Sequence, residues 1–452
     1  MSSSKTFSSV ALIILVIQIL ISSISHKTTV SASDVMIEPY WNYATFNYVN
    51  EGEFGDYNVE YDGSYRPSTI FNSPFQLFFY NTTPNTYYVG LRVGTVRSTS
   101  VMRWVWDFNR GNPVRENATF SLGTDGNLVL ADGDGRVAWQ SGTARKGVVG
   151  FKLLPTGNML LYDTKGKSLW QSFDRPTDTL LVGQSLRVGS KLVSRTSPKQ
   201  NTNGPYSLVV EPKRFAMYYQ PTKSSKPQLY YESSTSSFDV GNTSLEFLKL
   251  NVDFSDSLYP YYRITLNYKV AESNENGIYL YLGRRLRFNA TITYLRLGID
   301  GTLKAFTFDR DADIQAWTES FDLFSSSEIG TCQLPEKCGK FGLCDEGQCV
   351  ACPSPNGLLG WSKDCKPPKL SSSSCDAKNV KYYKIVGVDH FVSKYTKGDG
   401  PMKEGDCSKK CTSDCKCAGY FYQQDKSMCW IVNDLMTLTK VTDQKHLGYI
   451  KF

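Results

Sequence analysis

The stretch from Phe120 to Ser141, FSLGTDGNLVLADGDGRVAWQS, returns from Phe151 to Ser172 as FKLLPTGNMLLYDTKGKSLWQS. The offset is 31 residues throughout. It pairs Phe120 with Phe151, Leu122 with Leu153, Gly126-Asn127 with Gly157-Asn158, and Trp139-Gln140-Ser141 with Trp170-Gln171-Ser172. Each copy reads as a strand, a tight turn, an apolar strand, a second polar turn and a strand ending at Trp. Asp125-Gly126 and Gly157-Asn158 supply the left-handed backbone that such hairpins demand. A looser copy lies upstream, where residues 76–90 alternate apolar and polar and Trp104-Val105-Trp106 closes the unit. One unit alone cannot hide its apolar face. Three of them, each delivering a tryptophan, are expected to gather those rings about a common axis. The main part of the chain is therefore read as all-β.

The motif recurs far downstream. Leu122-Gly123-Thr124-Asp125-Gly126-Asn127-Leu128 matches Leu297-Gly298-Ile299-Asp300-Gly301-Thr302-Leu303, with Trp317 expected to close the unit. A second, diverged β domain over 206–325 follows, with the polar run Ser194 to Pro205 (SRTSPKQNTNGP) as a linker. At 452 residues, 40% hydrophobic and 13% aromatic, the chain can bury several cores, and disorder, collagen and coiled coil are excluded. A formal charge of +7 is too mild for nucleic-acid binding. Only three histidines, His26, His390 and His446, leave little for histidine-built metal sites or serine triads.

Export is expected from both ends of the sequence. Lys5 precedes an apolar run from Val10 to Ile21, and Val30-Ser31-Ala32-Ser33 offers a cleavage site. That run is too short to span a bilayer and reads as a secretory leader over 1–33. No later segment is long and apolar enough for a membrane span. All 12 cysteines lie between Cys332 and Cys429, an even number packed into a short stretch, which reads as a disulfide framework. Cys349-x2-Cys352 as half a zinc site, or Cys415-x-Cys417 as a redox pair, lacks a partner motif. Four sequons, at Asn81, Asn117, Asn242 and Asn289, are N-glycosylation candidates and all fall in the cysteine-free part.

Trp170-Gln171-Ser172-Phe173-Asp174-Arg175-Pro176-Thr177-Asp178-Thr179-Leu180-Leu181 resembles the signature of plant bulb-type (mannose-binding) lectin domains of the S-locus-glycoprotein kind, and Asn109-Arg110-Gly111-Asn112-Pro113-Val114 is similar to another segment of that family. The resemblance covers nearly the whole mature chain. It is closest to secreted, epidermis-associated extracellular glycoproteins of plants, which lack a kinase. It implies a β-prism lectin domain over 40–190, a diverged β-prism-like S-locus-type domain over 206–325, a small disulfide-rich EGF-like module over 326–367 and an α+β PAN/apple domain over 375–452. A receptor kinase is not expected, since the sequence ends with that last module.

The family's sugar site is Gln-x-Asp-x-Asn-x-Val-x-Tyr on one strand. Alternate residues share a face, so amides and a carboxylate fork onto neighbouring hydroxyls while Val packs on the sugar carbons. Laid on this sequence, the resemblance places Gly123, Asp125, Asn127, Val129 and Ala131 at the first copy, and Leu154, Thr156, Asn158, Leu160 and Tyr162 at the second. Neither is complete. Asp125, Asn127 and Val129 with Asn158, Leu160 and Tyr162 form a degenerate carbohydrate-binding set; the alternative is that Asp125, Asn127 and Asn158 are simply turn residues of the hairpins.

Cys332, Cys338, Cys344, Cys349, Cys352 and Cys365 occupy 34 residues, too little chain for a core without staples. Spacing alone leaves 15 pairings open. Resemblance to EGF-like modules implies Cys332–Cys344, Cys338–Cys349 and Cys352–Cys365. The stretch Glu404 to Tyr420 resembles a PAN module, which implies Cys407–Cys429 and Cys411–Cys417 and leaves Cys375 with Cys415. From 375 to 452 there are 13 Lys and no Arg against 9 acidic residues, an excess that reads either as a solvated face or as weak attachment to acidic wall polysaccharide.

No G-x-S-x-G elbow, GxxxxGK[ST] loop or H-E-x-x-H is present. Asp132-Gly133-Asp134-Gly135 hints at a calcium loop, but Arg136 stands where an EF-hand needs Glu. The expectation is a non-enzyme with no cofactor and no metal. Two functions fit: weak, avidity-dependent binding of mannose-bearing glycans in the cell wall or apoplast, and a structural or interaction glycoprotein whose site has lost its sugar, including a soluble partner or decoy of S-domain receptors. The expected partners are glycans, wall polysaccharide or extracellular glycoproteins and receptors. A homo-oligomer would multiply weak sites.

Overall fold

A computed structural model describes residues 42–57, 59–94, 102–222, 226–233, 243–253, 261–270, 278–282, 290–309, 316–325, 330–369 and 380–452. The expected leader, the sequons at Asn242 and Asn289, and Cys375 lie outside them. Trp41–Phe452 forms one compact unit.

The three repeat units each build one sheet of a first lobe. Thr119–Leu122, Leu128–Ala131 and Val137–Gln140 take Phe46–Val49 as a fourth strand. Gly150–Leu153, Met159–Tyr162 and Ser168–Gln171 make the second sheet, extended by a bridge from Tyr43 to Phe151. Ser64–Asn72, Phe75–Asn81, Tyr87–Val93 and Arg103–Asp107 make the third. The tryptophans meet as expected. The ring centre of Trp170 lies 5.6 Å from Trp139 and 6.1 Å from Trp106, and Phe108 sits 4.8 Å from Trp139. Such edge-on pairs contribute about 0.5–1.5 kcal/mol each beyond their burial. The third sheet supplies Trp106 to the axis but not Trp104. Leu91 pairs with Trp106 and Arg92 with Trp104, so a bulge at Val105 turns Trp104 to the opposite face, where it stacks on Tyr80.

The second lobe also has three four-stranded sheets, and each takes its edge strand from one short segment. Thr179–Leu181 pairs with Ala290–Leu297, Ser185–Arg187 with Thr243–Asp253, and Lys191–Arg195 with Asn203–Val210. The chain thus contributes strands to the second lobe's sheets from Thr179 onward, within the span expected for the first domain. Ser194 to Pro205 is not a linker. Ser194 and Asn201 are fully buried, and Arg195 and Asn201 both donate to the Tyr80 hydroxyl at 3.0 Å. Its buried members are polar because they bond across the lobes, while Thr196, Lys199, Gln200, Thr202 and Asn203 remain exposed.

The repeated motif at Leu297–Leu303 makes the expected hairpin, with the Gly298 amide donating to the Thr302 carbonyl. Trp317 stands in the closing strand of this unit, Ala316–Asp322. It packs on Tyr294 and Phe308, at 5.1 and 5.4 Å, on the face turned to the first lobe's core. Leu295, Leu297, Leu303 and Ala305 line the other face with the second lobe's own core. This sheet is buried on both sides and welds the lobes.

The cysteine-rich half carries the one α-helix among the described residues, Glu404–Ser413. Cys407 and Cys411, one turn apart, face the sheet of Tyr382–Val386, His446–Lys451, Gly419–Gln423, Met428–Val432 and Gly400–Pro401. Disulfides join Cys332 to Cys344, Cys338 to Cys349, Cys352 to Cys365, Cys407 to Cys429 and Cys411 to Cys417. Cys415 is also disulfide-bonded. The two cysteine segments are not separate pieces. Phe341–Asp345 of the first runs parallel to Met436–Lys440 of the second inside one five-stranded sheet.

Candidate functional site

The turn of the first repeat is closed by the Gly123 amide on the Asn127 carbonyl and by the Asn127 amide on the Asp125 carboxylate, 3.0 Å away. Gly126 sits at φ +79°, and a Cβ there would stand 2.8 Å from Val148, so the turn admits only glycine. Asp125 points to solvent and serves the turn. Asn127 does not face outward freely. Its amide nitrogen donates to Gln140 at 3.0 Å, and its oxygen accepts from the Ser141 hydroxyl and the Thr143 amide, both at 3.1 Å.

The second repeat reproduces this arrangement. Asn158, only 7% exposed, donates to Gln171 at 2.9 Å and accepts from the Ser172 hydroxyl and the Phe173 amide at 3.2 Å. Both oxygen lone pairs of each asparagine are taken, and one N–H remains. The Gly-Asn and Trp-Gln-Ser elements of the repeat are therefore partners, each asparagine fastening its sheet's last strand. The spacing of 13 residues from Asn to Gln in both copies was the sequence signal for it.

Val129 and Ala131 alternate outward from buried Leu128 and Leu130, and nothing on that strand supplies a distal hydroxyl. On the second sheet Leu160 and Tyr162 face outward. The Lys152 ammonium lies 4.3 Å from the Tyr162 ring centre, and the phenol rests over Gly150, where a Cβ would come within 2.6 Å of it. Burial raises the Tyr162 phenol above its ordinary pKa, so it is protonated at neutral pH. Lys152, Leu160 and Tyr162 thus share one half-buried patch on the outward face of this sheet.

The remaining sequence candidates resolve structurally. Asp132 is buried and accepts from the Arg115 and Gly133 amides and from the Arg115 and Arg136 guanidinium groups. Burial would raise its carboxyl, yet these donors hold it below the usual range. Guanidinium groups occupy the place a cation would take, and the described residues hold no cluster fit for a metal. Asn117 is exposed at φ +63°. Asn81 is only 8% exposed at the end of its strand.

Sequence reasoning also missed a buried ionic seam. Arg110 donates to Asp178 at 2.8 Å and to the Val193 carbonyl at 2.9 Å, and Arg296 pairs with Glu60 at 2.6 Å. Four charged residues scattered over 236 positions carry no periodicity that would announce their meeting.

The three-sheet lobes form a lectin-type fold, and residues 103–198 match the family model described as D-mannose binding lectin. The chain is 49% identical over 430 residues to EP1-like glycoprotein 2 of Arabidopsis thaliana, covering 90% of this chain and 94% of that one. It is 52% identical over 360 residues to the epidermis-specific secreted glycoprotein EP1 of Daucus carota, covering 76% and 91%. This chain belongs to the EP1-like family of secreted glycoproteins. More distantly, it is 26% identical to a G-type lectin S-receptor-like serine/threonine-protein kinase of Arabidopsis thaliana, 38% of whose length it spans. No helix among the described residues is long and apolar enough to cross a membrane.

Proposed function

We propose that the protein is a non-catalytic glycoprotein of the plant cell wall or apoplast that acts by contact, and that its first-lobe strands have given up recognition of free mannose. The observation that carries this reading is the engagement of Asn127 and Asn158 with Gln140 and Gln171. A sugar hydroxyl would have to displace hydrogen bonds that hold the sheet together. Each such displacement costs about 1–3 kcal/mol, comparable to what the new bond returns.

A second reading is favoured by the Tyr162 patch. Clustered mannose on branched glycans is held weakly through Leu160, Tyr162 and the remaining Asn158 N–H, with useful strength only when several sites engage together. The cysteine-rich half, read as EGF-like and PAN/apple modules with Cys375 joined to Cys415, supplies contacts to extracellular glycoproteins or receptors, and its lysines to acidic wall polysaccharide.

The test is retention of the purified protein on immobilised mannan, on a mannose-bearing glycan array and on pectic polysaccharide. The first reading expects no retention on mannose in any format. Retention on clustered mannose that survives salt and is lost in Tyr162→Ala establishes the second reading. Retention on pectin that disappears with modest salt assigns the contact to the lysine face.

A further inference from the structure

The outward face of the first repeat's sheet carries no charge. Val49 lies beside Thr119, Thr119 beside Ala131 and Ala131 beside Val137, one row across all four strands. Asn47, Ser121, Val129 and Gln140 make the next row. Alternation turns these side chains outward, while Phe120, Leu122, Leu128 and Leu130 turn into the core. Val137 keeps 49% of its surface exposed and Val49 37%, and they stand on the two edge strands. Beyond this end of the sheet, Arg115 pairs with Asp132 and Asp134, Arg136 with Asp132, and Arg66 with Glu116. Glu51, exposed at the same rim, forms no ion pair among the described residues.

The sequon Asn117-Ala118-Thr119 opens on this face. Thr119 belongs to the first row, and Ala118 between the two is fully buried. The Asn117 amide donates to the Asn50 carbonyl at 3.0 Å, which sets the residue at the end of that row, next to the strand of Val49. Asn117 is exposed in left-handed backbone, a conformation that asparagine tolerates. Gly133 across from it has no side chain. A Cβ there would stand 3.6 Å from the Asn117 Cβ, so the glycine leaves the mouth of the sheet open. Two residues of strand carry the chain from Asn117 to Thr119, about 7 Å, a gap that a first N-linked sugar spans.

We infer that Asn117 carries an N-glycan whose core lies down along this face, its first N-acetylglucosamine on the row of Val49, Thr119, Ala131 and Val137. The acetamido methyl and C–H faces of that sugar cover the exposed valines. Its hydroxyls meet Thr119, Ser121 and Asn47, whose side chains both donate and accept. A second copy of the chain is the poorer occupant, because the glycan on each Asn117 would stand at the rim in the way of the other. Val129 and Ala131 lie on the strand that the lectin resemblance assigns to sugar. The first repeat is thereby filled by the chain's own sugar and closed to outside glycans. The inference goes beyond the contact function proposed above. It does not depend on the Tyr162 patch, which lies on another sheet.

The experiment takes the full mature protein, secreted with high-mannose N-glycans, and endoglycosidase H, which cuts between the two core N-acetylglucosamines. Asn117→Gln identifies the Asn117 glycan by the mass it removes. Release of that glycan from the native protein is expected to be at least tenfold slower than from the denatured protein. Val137→Lys and Val49→Lys, on opposite edges, put a long charged side chain where the sugar rests. Each is expected to raise the native rate at least fivefold with circular dichroism unchanged. Exposed edge strands accept lysine, and one folded variant of the two decides the matter. The inference is overturned if Asn117 is unoccupied, if native and denatured protein release the glycan equally fast, or if the native rate stays put in every folded lysine variant. It is overturned equally if the wild type sediments as a dimer that Val137→Lys dissociates, which assigns the face to a second copy.

Discussion

Arg110 and Asp178 meet at 2.8 Å in a setting where each side chain keeps about a tenth of its surface exposed. They belong to the two segments, Asn109 to Val114 and Trp170 to Leu181, that carry the lectin-family resemblance. The ion pair makes one fastening of the two signatures, with Asp107 at 3.4 Å as a second acceptor for the same guanidinium. Burial alone would raise the Asp178 carboxyl, but Arg110 and then Arg296 outweigh it and hold it below its ordinary range. Removing one partner leaves the other charged and buried. Asp178→Ala and Arg110→Met are each expected to cost about 3–5 kcal/mol, with the double variant losing less than the sum, as a double-mutant cycle in urea measures. Additive losses would mean the pair is not coupled.

Asn158→Ala should destabilise the first lobe by about 1–3 kcal/mol, because the Phe173 amide and the Ser172 hydroxyl lose their acceptor. Leu160→Ser, on the outward face of the same strand, should change stability little. Denaturant midpoints of the two variants decide whether this strand is built first for the hairpin. Equal losses would count against that assignment.

His390 is fully buried, and burial pushes its imidazole down to about 3. It is held neutral by its Nδ1 accepting from the Val392 amide and its Nε2 donating to the Asp434 carbonyl. Unfolded, the ring titrates at about 6.5, so between that value and about 3 the unfolded chain binds a proton that the folded one does not. Stability of the cysteine-rich half should fall on acidification below pH 6.5, by up to about 1.4 kcal/mol per pH unit at this site. In His390→Phe this contribution to the acid slope should disappear. A slope identical in both proteins would refute the assignment.

Reductant should divide the molecule. No cysteine precedes Cys332, and each native disulfide contributes about 2–4 kcal/mol to a domain of this kind. Limited proteolysis under reducing conditions is expected to cleave beyond residue 330 while a fragment ending near residue 325 persists with its β-sheet circular dichroism. Simultaneous loss of both halves would show that the lobes depend on the cysteine-rich part.

The tryptophan axis was legible because a fixed offset with turn residues in register admits one reading: equal units that share a core. The double role of the asparagines was half legible, since the Asn-to-Gln spacing recurs but periodicity says nothing of which side chains bond. Where Trp317 packs was not legible for a different reason. A strand apolar on both faces does not tell which face meets which core, and Tyr294 and Leu295 point to different ones. Ser194 to Pro205 looked like a linker because composition measures polarity and not partnership. Tyr61 and Asp62, at φ +66° and +52°, left no trace at all, since a left-handed conformation at a tyrosine is imposed by its neighbours.

The parallel pairing of Phe341–Asp345 with Met436–Lys440 also fixes an order in time. A ribosome delivers the first of these strands about a hundred residues before the second, a delay of roughly 5–20 s at ordinary synthesis rates. For that interval the early hairpin has an open edge, within reach of the wrong thiols and of other nascent chains. Secretory-pathway thiol isomerases and holdases would guard that window, and shortening the chain before Met436 would extend it indefinitely. Truncation before Met436 is thus expected to lower the yield on export.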